Sequence, residues 1–195
     1  MPGATVLIVP GLRDEAPDHW QTLLAARIAQ AVTVKPMGRV DVDLRKRLDA
    51  IETAASAIEG PLVIVAHSAG CIMLAHWARE TKRPVLGALL AAPPDIGTPM
   101  PAGYPTVESL QAAGWFPVPR EPLPVASIVA ASRNDPLARF DYVSDLAAVW
   151  GARLVDLGRV GHLNPASGYG DWPKAEEFVA ELAATSIHRA HCASA

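Results

Sequence analysis

Cysteine is scarce. The chain has 2 in 195 residues, Cys71 and Cys192, too few for a disulfide framework and without the spacing of a metal site, which suits a reducing cytoplasm. No group of His, Cys and Asp has ligand spacing either, so no metal and no cofactor is expected. No segment approaches the roughly 18 consecutive apolar residues of a membrane-spanning helix, so no membrane partner is expected. The N-terminus carries no charged region ahead of its short apolar run, which predicts a strand from Thr5 to Val9 rather than a signal peptide. Blocks of positive charge are missing too. The formal net charge is -3, and the one basic run, Arg45-Lys46-Arg47, is bracketed by Asp43 and Asp49 in a helical pattern, so it reads as a solvated helix face and not as a nucleic-acid site. There is no internal repeat and no low-complexity segment.

What is present is enough apolar material for a sizeable core. Half of the residues (50%) are hydrophobic, and at this length one domain is expected: residues 1–184, followed by a frayed tail over 185–195. Thr5-Val6-Leu7-Ile8-Val9 is a continuous apolar run ending at Pro10-Gly11, the pattern of a central parallel strand covered on both faces. A helix over about 19–30 follows, with Trp20, Leu23, Leu24 and Ile28 on one side, then a short strand over 31–34. Asp41 is a candidate cap for a helix on which Leu44, Leu48, Ile51, Ala55 and Ile58 recur at helical spacing. Further strands are expected from 63 into the turn at 66–70, and over 85–90, 125–131 and 153–157. Helices are expected over 69–79, 140–150 and 173–183. Strands alternating with helices predict an α/β fold with a parallel sheet and right-handed crossovers.

The chemistry concentrates at Ala66-His67-Ser68-Ala69-Gly70. A buried strand enters a tight turn that carries a serine, with a helical pattern directly behind. A serine hydroxyl is a poor nucleophile at neutral pH. On a sharp strand-to-helix turn its oxygen is pushed out at the top of the sheet, where a histidine can take its proton and backbone N–H groups can hold an oxyanion. The usual pattern is G-x-S-x-G. Alanine at position 66 is the smallest departure from it. Downstream, Asp135 follows one strand and His162 follows the next, the order acid then histidine that such a serine requires on an α/β sheet, at the sheet edge where ligands bind. Asp95, after the preceding strand, is a rival acid. Asp156 lies inside a strand, where a carboxylate points away from that edge. Among the other histidines, His76 sits two turns into a helix, and His188 and His191 lie in the tail. His67 reads as a shaper of the turn, and His19 borders the site.

These segments, with Val9-Pro10-Gly11-Leu12, His19-Trp20-Gln21, Ser132-Arg133-Asn134-Asp135-Pro136, Gly161-His162-Leu163-Asn164 and Ser167-Gly168-Tyr169-Gly170-Asp171-Trp172-Pro173, resemble the small serine hydrolases of the YdeN type. Those are relatives of retinoblastoma-binding protein nine within the α/β-hydrolase superfamily. The resemblance runs from about Val6 to about Leu182. It implies an α/β-hydrolase fold, a three-layer sandwich with a mainly parallel sheet, and hydrolysis of small esters or amides through an acyl-serine. The L-x-C-x-E arrangement of retinoblastoma-binding proteins is absent around both cysteines, so that partner is not implied.

Ser68 is then the expected nucleophile, His162 the base, and Asp135 the group that fixes the imidazole tautomer. The backbone N–H groups of Ala69 and Leu12 are the expected oxyanion donors, each typically contributing about 100- to 1,000-fold in rate. Candidates for the substrate pocket are Gly11, His19, Trp20, His67, Trp115 and Phe116. Trp20 has a core reading of equal weight, and Trp115 and Phe116 have one as loop anchors. Residues 93–124, rich in proline and glycine, lie where larger relatives insert a lid and are too short to form a lid domain; a turn of helix is expected near 109–113. A catalytically silent member of the fold, acting as a protein-binding module, is the alternative. It would have no need of a serine, an aspartate and a histidine at three strand ends. A serine in the elbow excludes haloalkane- or epoxide-type chemistry, which needs a carboxylate there.

Overall fold

Four of the six strands are almost wholly apolar and buried, and such strands have to be covered on both faces. The computed structural model, which describes residues 3–192 and side chains as far as residue 184, satisfies this with three layers. The strands are β1 (Thr5–Val9), β2 (Ala31–Thr33), β3 (Leu62–His67), β4 (Gly87–Ala91), β5 (Ala126–Ala131) and β6 (Arg153–Asp156). They form one sheet in the order β2-β1-β3-β4-β5-β6, and every pairing is parallel. Alternate residues divide between the faces. Leu7, Val9, Ile64 and Ala66 pack with α2 (Leu44–Ser56), α3 (Ala69–Trp77) and α5 (Phe140–Val149). Val6, Ile8, Val63 and Val65 pack with α1 (Trp20–Arg27) and α6 (Lys174–Cys192). The chain leaves β1 toward β2 on one side and resumes with β3 on the other, so the carboxyl ends of β1 and β3 flank a switch in strand order, where open α/β sheets bind ligands.

The expected elements are all found, with shifted ends. Asp43, not Asp41, caps α2 by accepting from Lys46 N–H at 3.2 Å. Asp41 accepts from Asp43 N–H and pairs with Lys46. A short 3-10 helix at Pro165–Ser167 was not expected. The last helix continues to Cys192, past the end expected near 183. The expected frayed tail therefore holds helix over 185–192, and residues 193–195 lie outside the described residues. Among the described residues no helix is long and apolar enough to cross a membrane.

The stretch from 93 to 124 carries α4 (Val107–Ala112), capped by Thr106, and adds no further domain. Its aromatic residues anchor it. Trp115 is fully buried and donates its Nε1–H to Val42 O at 2.7 Å, and its own carbonyl lies 3.2 Å from His76 Nε2. Phe116 packs against the same core cluster. Neither residue lines the cavity beside Ser68, so the pocket role considered for Trp115 and Phe116 is corrected. An apolar loop residue is stabilised more by burial in the core than by covering an open site.

One contact fixes where α3 begins. A Cβ at Gly70 would meet Val9 O at 2.6 Å and Pro10 O at 2.9 Å, so only glycine lets the first turn of α3 pack against the end of β1. Ala66, by contrast, is fully buried with its methyl accommodated, which is why alanine can replace the first glycine of the usual pattern. Gly70→Ala is expected to destabilise the protein by about 1–3 kcal/mol, the usual cost of overpacking. Urea unfolding checks this, and an unchanged midpoint would contradict the packing argument.

Candidate active site

Ser68 stands between β3 and α3 with φ 55° and ψ -131°. A non-glycine residue there costs on the order of 1–3 kcal/mol and persists only when its surroundings hold it. They do so by hydrogen bonds. Ser68 N–H continues the sheet ladder to Ala91 O at 2.9 Å, and Ser68 O accepts from Cys71 N–H at 2.9 Å. The result is a serine side chain at the carboxyl edge of the sheet, buried but for 8% of its surface.

The loop after β6 brings His162 to it. His162 Nε2 lies 2.8 Å from Ser68 Oγ, and His162 Nδ1 lies 2.8 Å from Asp135 Oδ2 and 3.0 Å from Oδ1. Asp135 follows β5 and is in turn held by Leu137 N–H, which donates to Oδ1 at 2.8 Å. The imidazole and carboxylate side chains are 4% and 2% exposed. With Nδ1–H directed at the carboxylate, Nε2 presents its lone pair to the hydroxyl, so the line is arranged to pass a proton from Oγ to the ring. Asp95 takes no part. Its Oδ1 caps its own turn by accepting from Gly97 N–H. Asp156 pairs with Arg133 away from the site.

The histidine loop is braced by side chains that sequence reasoning passed over. Asn134 Oδ1 accepts from Gly161 N–H at 2.9 Å, Ser132 Oγ accepts from Val160 N–H at 3.2 Å, and Ser167 Oγ accepts from His162 N–H at 3.0 Å. Ser167 is itself fixed by Asn164 Oδ1. All four stand in segments quoted above for the family resemblance, which was the available signal. His67 acts on the histidine rather than on the turn, because its Nε2–H donates to His162 O at 2.9 Å.

Gly11, Leu12, His19 and His67 line a cavity of about 230 Å³ with Ser68 and His162. A Cβ at Gly11 would stand 2.8 Å from Ser68 Cβ, so glycine is what allows this loop to pass over the serine. The N–H of Ala69 has no intrahelical acceptor because it opens α3. Among the described residues Leu12 N–H also has none. Trp20 is absent from the cavity. It is fully buried and packs edge-on against Trp172, with ring centroids 4.9 Å apart, which corrects its pocket reading in favour of the core. The neighbouring Gln21 is buried and donates to Val9 O and Val65 O. Sequence reasoning also missed Arg13, Asp18, Arg39 and Tyr104, which line the same cavity. Their one signal was position in loops at the strand ends.

Three imidazoles stand in file. The centroid separation is 4.8 Å from His19 to His67 and 5.0 Å from His67 to His162. Burial, then Arg13, then His162 push the His19 pKa down to about 3, and burial first holds His67 well below its usual range. Both rings are therefore neutral at pH 7. His19 Nδ1 accepts from Gln21 N–H at 3.2 Å, so its proton is on Nε2, which is buried and has no acceptor.

These two rings bind fewer protons folded than unfolded, so stability is complete above the unfolded histidine pKa of about 6.5 and falls as pH drops below it. Unfolding free energy is expected to decline between about pH 6.5 and 5, above the range of most carboxylates, and His19→Gln should flatten that decline. Urea titrations at several pH values read it. Equal slopes in the parent and the variant would refute the buried neutral state of His19.

Comparison with known proteins agrees with this architecture. The family model described as serine hydrolase matches residues 6–181. A protein described as a YdeN-like hydrolase from Pectobacterium atrosepticum superimposes with a TM-score of 0.79 at 26% identity, covering 94% of this chain and 92% of that one. The ydeN gene product of B. subtilis superimposes with a TM-score of 0.68 at 17% identity, covering 92% and 98%. At 16% identity a deformylase of N-formylmaleamic acid from Pseudomonas putida shares the fold, with a TM-score of 0.59 over 84% of this chain and 88% of that one. No curated protein matches. With a family match over most of its length, a strained serine at the strand-to-helix turn and the α/β-hydrolase sheet around it, the chain belongs to the serine hydrolase family.

Proposed function

We propose that this hydrolase cleaves small esters through an acyl-serine on Ser68. The observation that carries the proposal is the continuous hydrogen-bonded line Ser68–His162–Asp135. Ser68 Oγ attacks the carbonyl carbon while its proton passes to His162 Nε2. Asp135 holds the ring in the tautomer that accepts it and stabilises the imidazolium. The carbonyl oxygen takes up negative charge facing the N–H groups of Leu12 and Ala69, where the amino end of α3 adds a favourable dipole. Collapse expels the alcohol, protonated by His162. A water activated by the same ring then frees the acid and restores the serine. A protein-binding module would leave the strained serine and the buried carboxylate without purpose, because both cost stability unless they are used.

A fluorophosphonate is expected to label Ser68, and Ser68→Ala should stay folded and take no label. Asp135→Asn should lose about 10⁴ in kcat with little change in fold, as removal of such an acid does elsewhere, while Asp95→Asn loses far less. Mass mapping of the adduct and steady-state kinetics test both points. Label retained in Ser68→Ala, or the opposite ranking of the aspartates, would defeat the assignment.

The size of the cavity bears on chain length. A space of about 230 Å³ admits a short acyl group, and among the described residues no lid domain covers it. p-Nitrophenyl acetate or butyrate should turn over faster than the palmitate ester, with no jump in rate above the solubility limit. Fastest turnover of palmitate would mean a lipase instead.

A further inference from the structure

The cavity beside Ser68 carries unbalanced positive charge. Its charged lining residues are Arg13, Arg39 and Asp18; Arg39 and Asp18 are exposed and Arg13 is half-buried. Elsewhere in the described residues Arg27, Arg45, Arg79, Arg133, Arg139 and Arg153 each have a carboxylate within ion-pair distance. Arg13 and Arg39 have none, as is also true of Arg47, Arg83, Arg120 and Arg159, but of these six only Arg13 and Arg39 line the cavity. Both are nonetheless fixed in place. Arg39 donates from Nε to Leu12 O at 3.0 Å and from Nη1 to Gly103 O at 3.4 Å, and its guanidinium stacks 4.2 Å above the Tyr104 ring. Arg13 donates from Nη1 to Asp14 O at 2.9 Å, and its Nε is buried without an acceptor. Glu15 is close enough to oppose its charge but not to pair with it. His19, 1% exposed, adds a further donor, the Nε2–H that has no acceptor.

We propose that Arg13 and Arg39 select substrates with a carboxylate, so that the ester cleaved at Ser68 comes from a small molecule bearing a second, negatively charged group. The proposal rests on Ser68 being the nucleophile. Two guanidiniums and a neutral imidazole N–H are all donors, and none can accept. A carboxylate is the group whose oxygens match planar donor forks of this kind. Held against a ring and backbone carbonyls, the forks lose little freedom when an anion arrives, which raises the net gain on binding. The field of Arg13 already reaches the neighbouring rings, where it opposes protonation of His19 and His67. An anion entering the cavity meets that same field with the favourable sign. Asp18 is the acidic residue of the cavity lining, and with Glu15 beside Arg13 it would favour an ammonium instead. The two alternatives are separable by experiment.

The test pairs esters of equal size and different charge. The p-nitrophenyl monoester of adipic acid is compared with its methyl ester and with p-nitrophenyl 6-aminohexanoate. 3-Carboxyphenyl acetate is compared with phenyl acetate, so that the charge is offered on the leaving side as well. Rates with Ser68→Ala are subtracted as the uncatalysed background. In at least one pair kcat/KM for the anion should exceed that for the neutral ester by about tenfold, the scale of one charge-assisted hydrogen bond at a partly exposed site. Added salt should shrink the ratio. Arg13→Gln and Arg39→Gln should shrink it as well, and Arg13→Glu should turn it toward the amine. The ratio is the readout because Arg39 also holds Leu12, so absolute rates will fall in its variant. In parallel, calorimetric titration of Ser68→Ala, checked for fold by circular dichroism, should show monomethyl adipate binding and dimethyl adipate not. Neutral or cationic esters preferred in both pairs, or equal binding of the two adipates, would overturn the proposal. Turnover of no ester would remove the Ser68 reading alone and leave the titration to decide the anion site.

Discussion

Where α3 meets the end of β1, two backbones come within van der Waals contact because residue 70 has no side chain. The carbonyls of Val9 and Pro10 occupy the space that a Cβ would need. This approach places the amino end of α3, with its free Ala69 N–H, next to the loop that carries Gly11 and Leu12. It also forces the chain to turn within one residue, and Ser68 absorbs that turn at positive φ. The position of the Ser68 hydroxyl, the proposed oxyanion donors and the backbone strain are thus three consequences of a single packing constraint. Gly11 repeats the constraint from the other side, since a Cβ there would press on Ser68 Cβ and on His67 O.

The acid and the histidine arrive on separate loops, after β5 and β6, and their agreement in space has its own cause. Ser132 and Asn134, flanking Arg133 in the loop of the acid, hold the backbone of Val160 and Gly161 in the loop of the histidine. The hydrogen bond between Asp135 and His162 is therefore one of several ties between these loops. His67 braces the carbonyl of His162 from β3, so the strand that delivers the serine also locates the proposed base. Redundant positioning of this kind keeps a reacting geometry tight, and errors near 1 Å can cost about 100-fold in rate.

The sheet was legible because parallel strands covered on both faces leave continuous apolar runs, as in Thr5–Val9 and Leu62–His67. Ser68, Asp135 and His162 were legible because the edge at which strands end is itself set by the order of elements along the chain. Helix ends were less so. Asp41 and Asp43 are equally good caps in sequence, and only the direction of the chain entering α2 chooses between them. The cavity lining was the least legible part. Trp20, Trp115 and Phe116 look like pocket residues in sequence because they are large and lie near site loops. Which face a loop aromatic turns to is decided by long-range partners such as Trp172 and Val42, which no local spacing reveals.

Those same aromatics explain why the cavity is small. The segment from 93 to 124 has to be held down over an open sheet edge, and it spends its large apolar side chains on that task. Trp115 is tied to Val42 and His76, Leu44 N–H reaches Ala113 O, and Trp150 from α5 donates to Pro119 O at 2.9 Å. Tyr104 is the aromatic residue of the segment that reaches the cavity, and there it serves as a platform for Arg39. With the large apolar residues turned inward, the wall facing Ser68 is left to small ones such as Leu12, Ala16 and Pro165, with Arg13, Arg39 and two neutral imidazoles among them. A space of about 230 Å³ has little to offer a long hydrocarbon chain, whose burial needs an extended apolar area. A short acyl group flanked by negative charge, as proposed above, matches both that volume and the two guanidiniums.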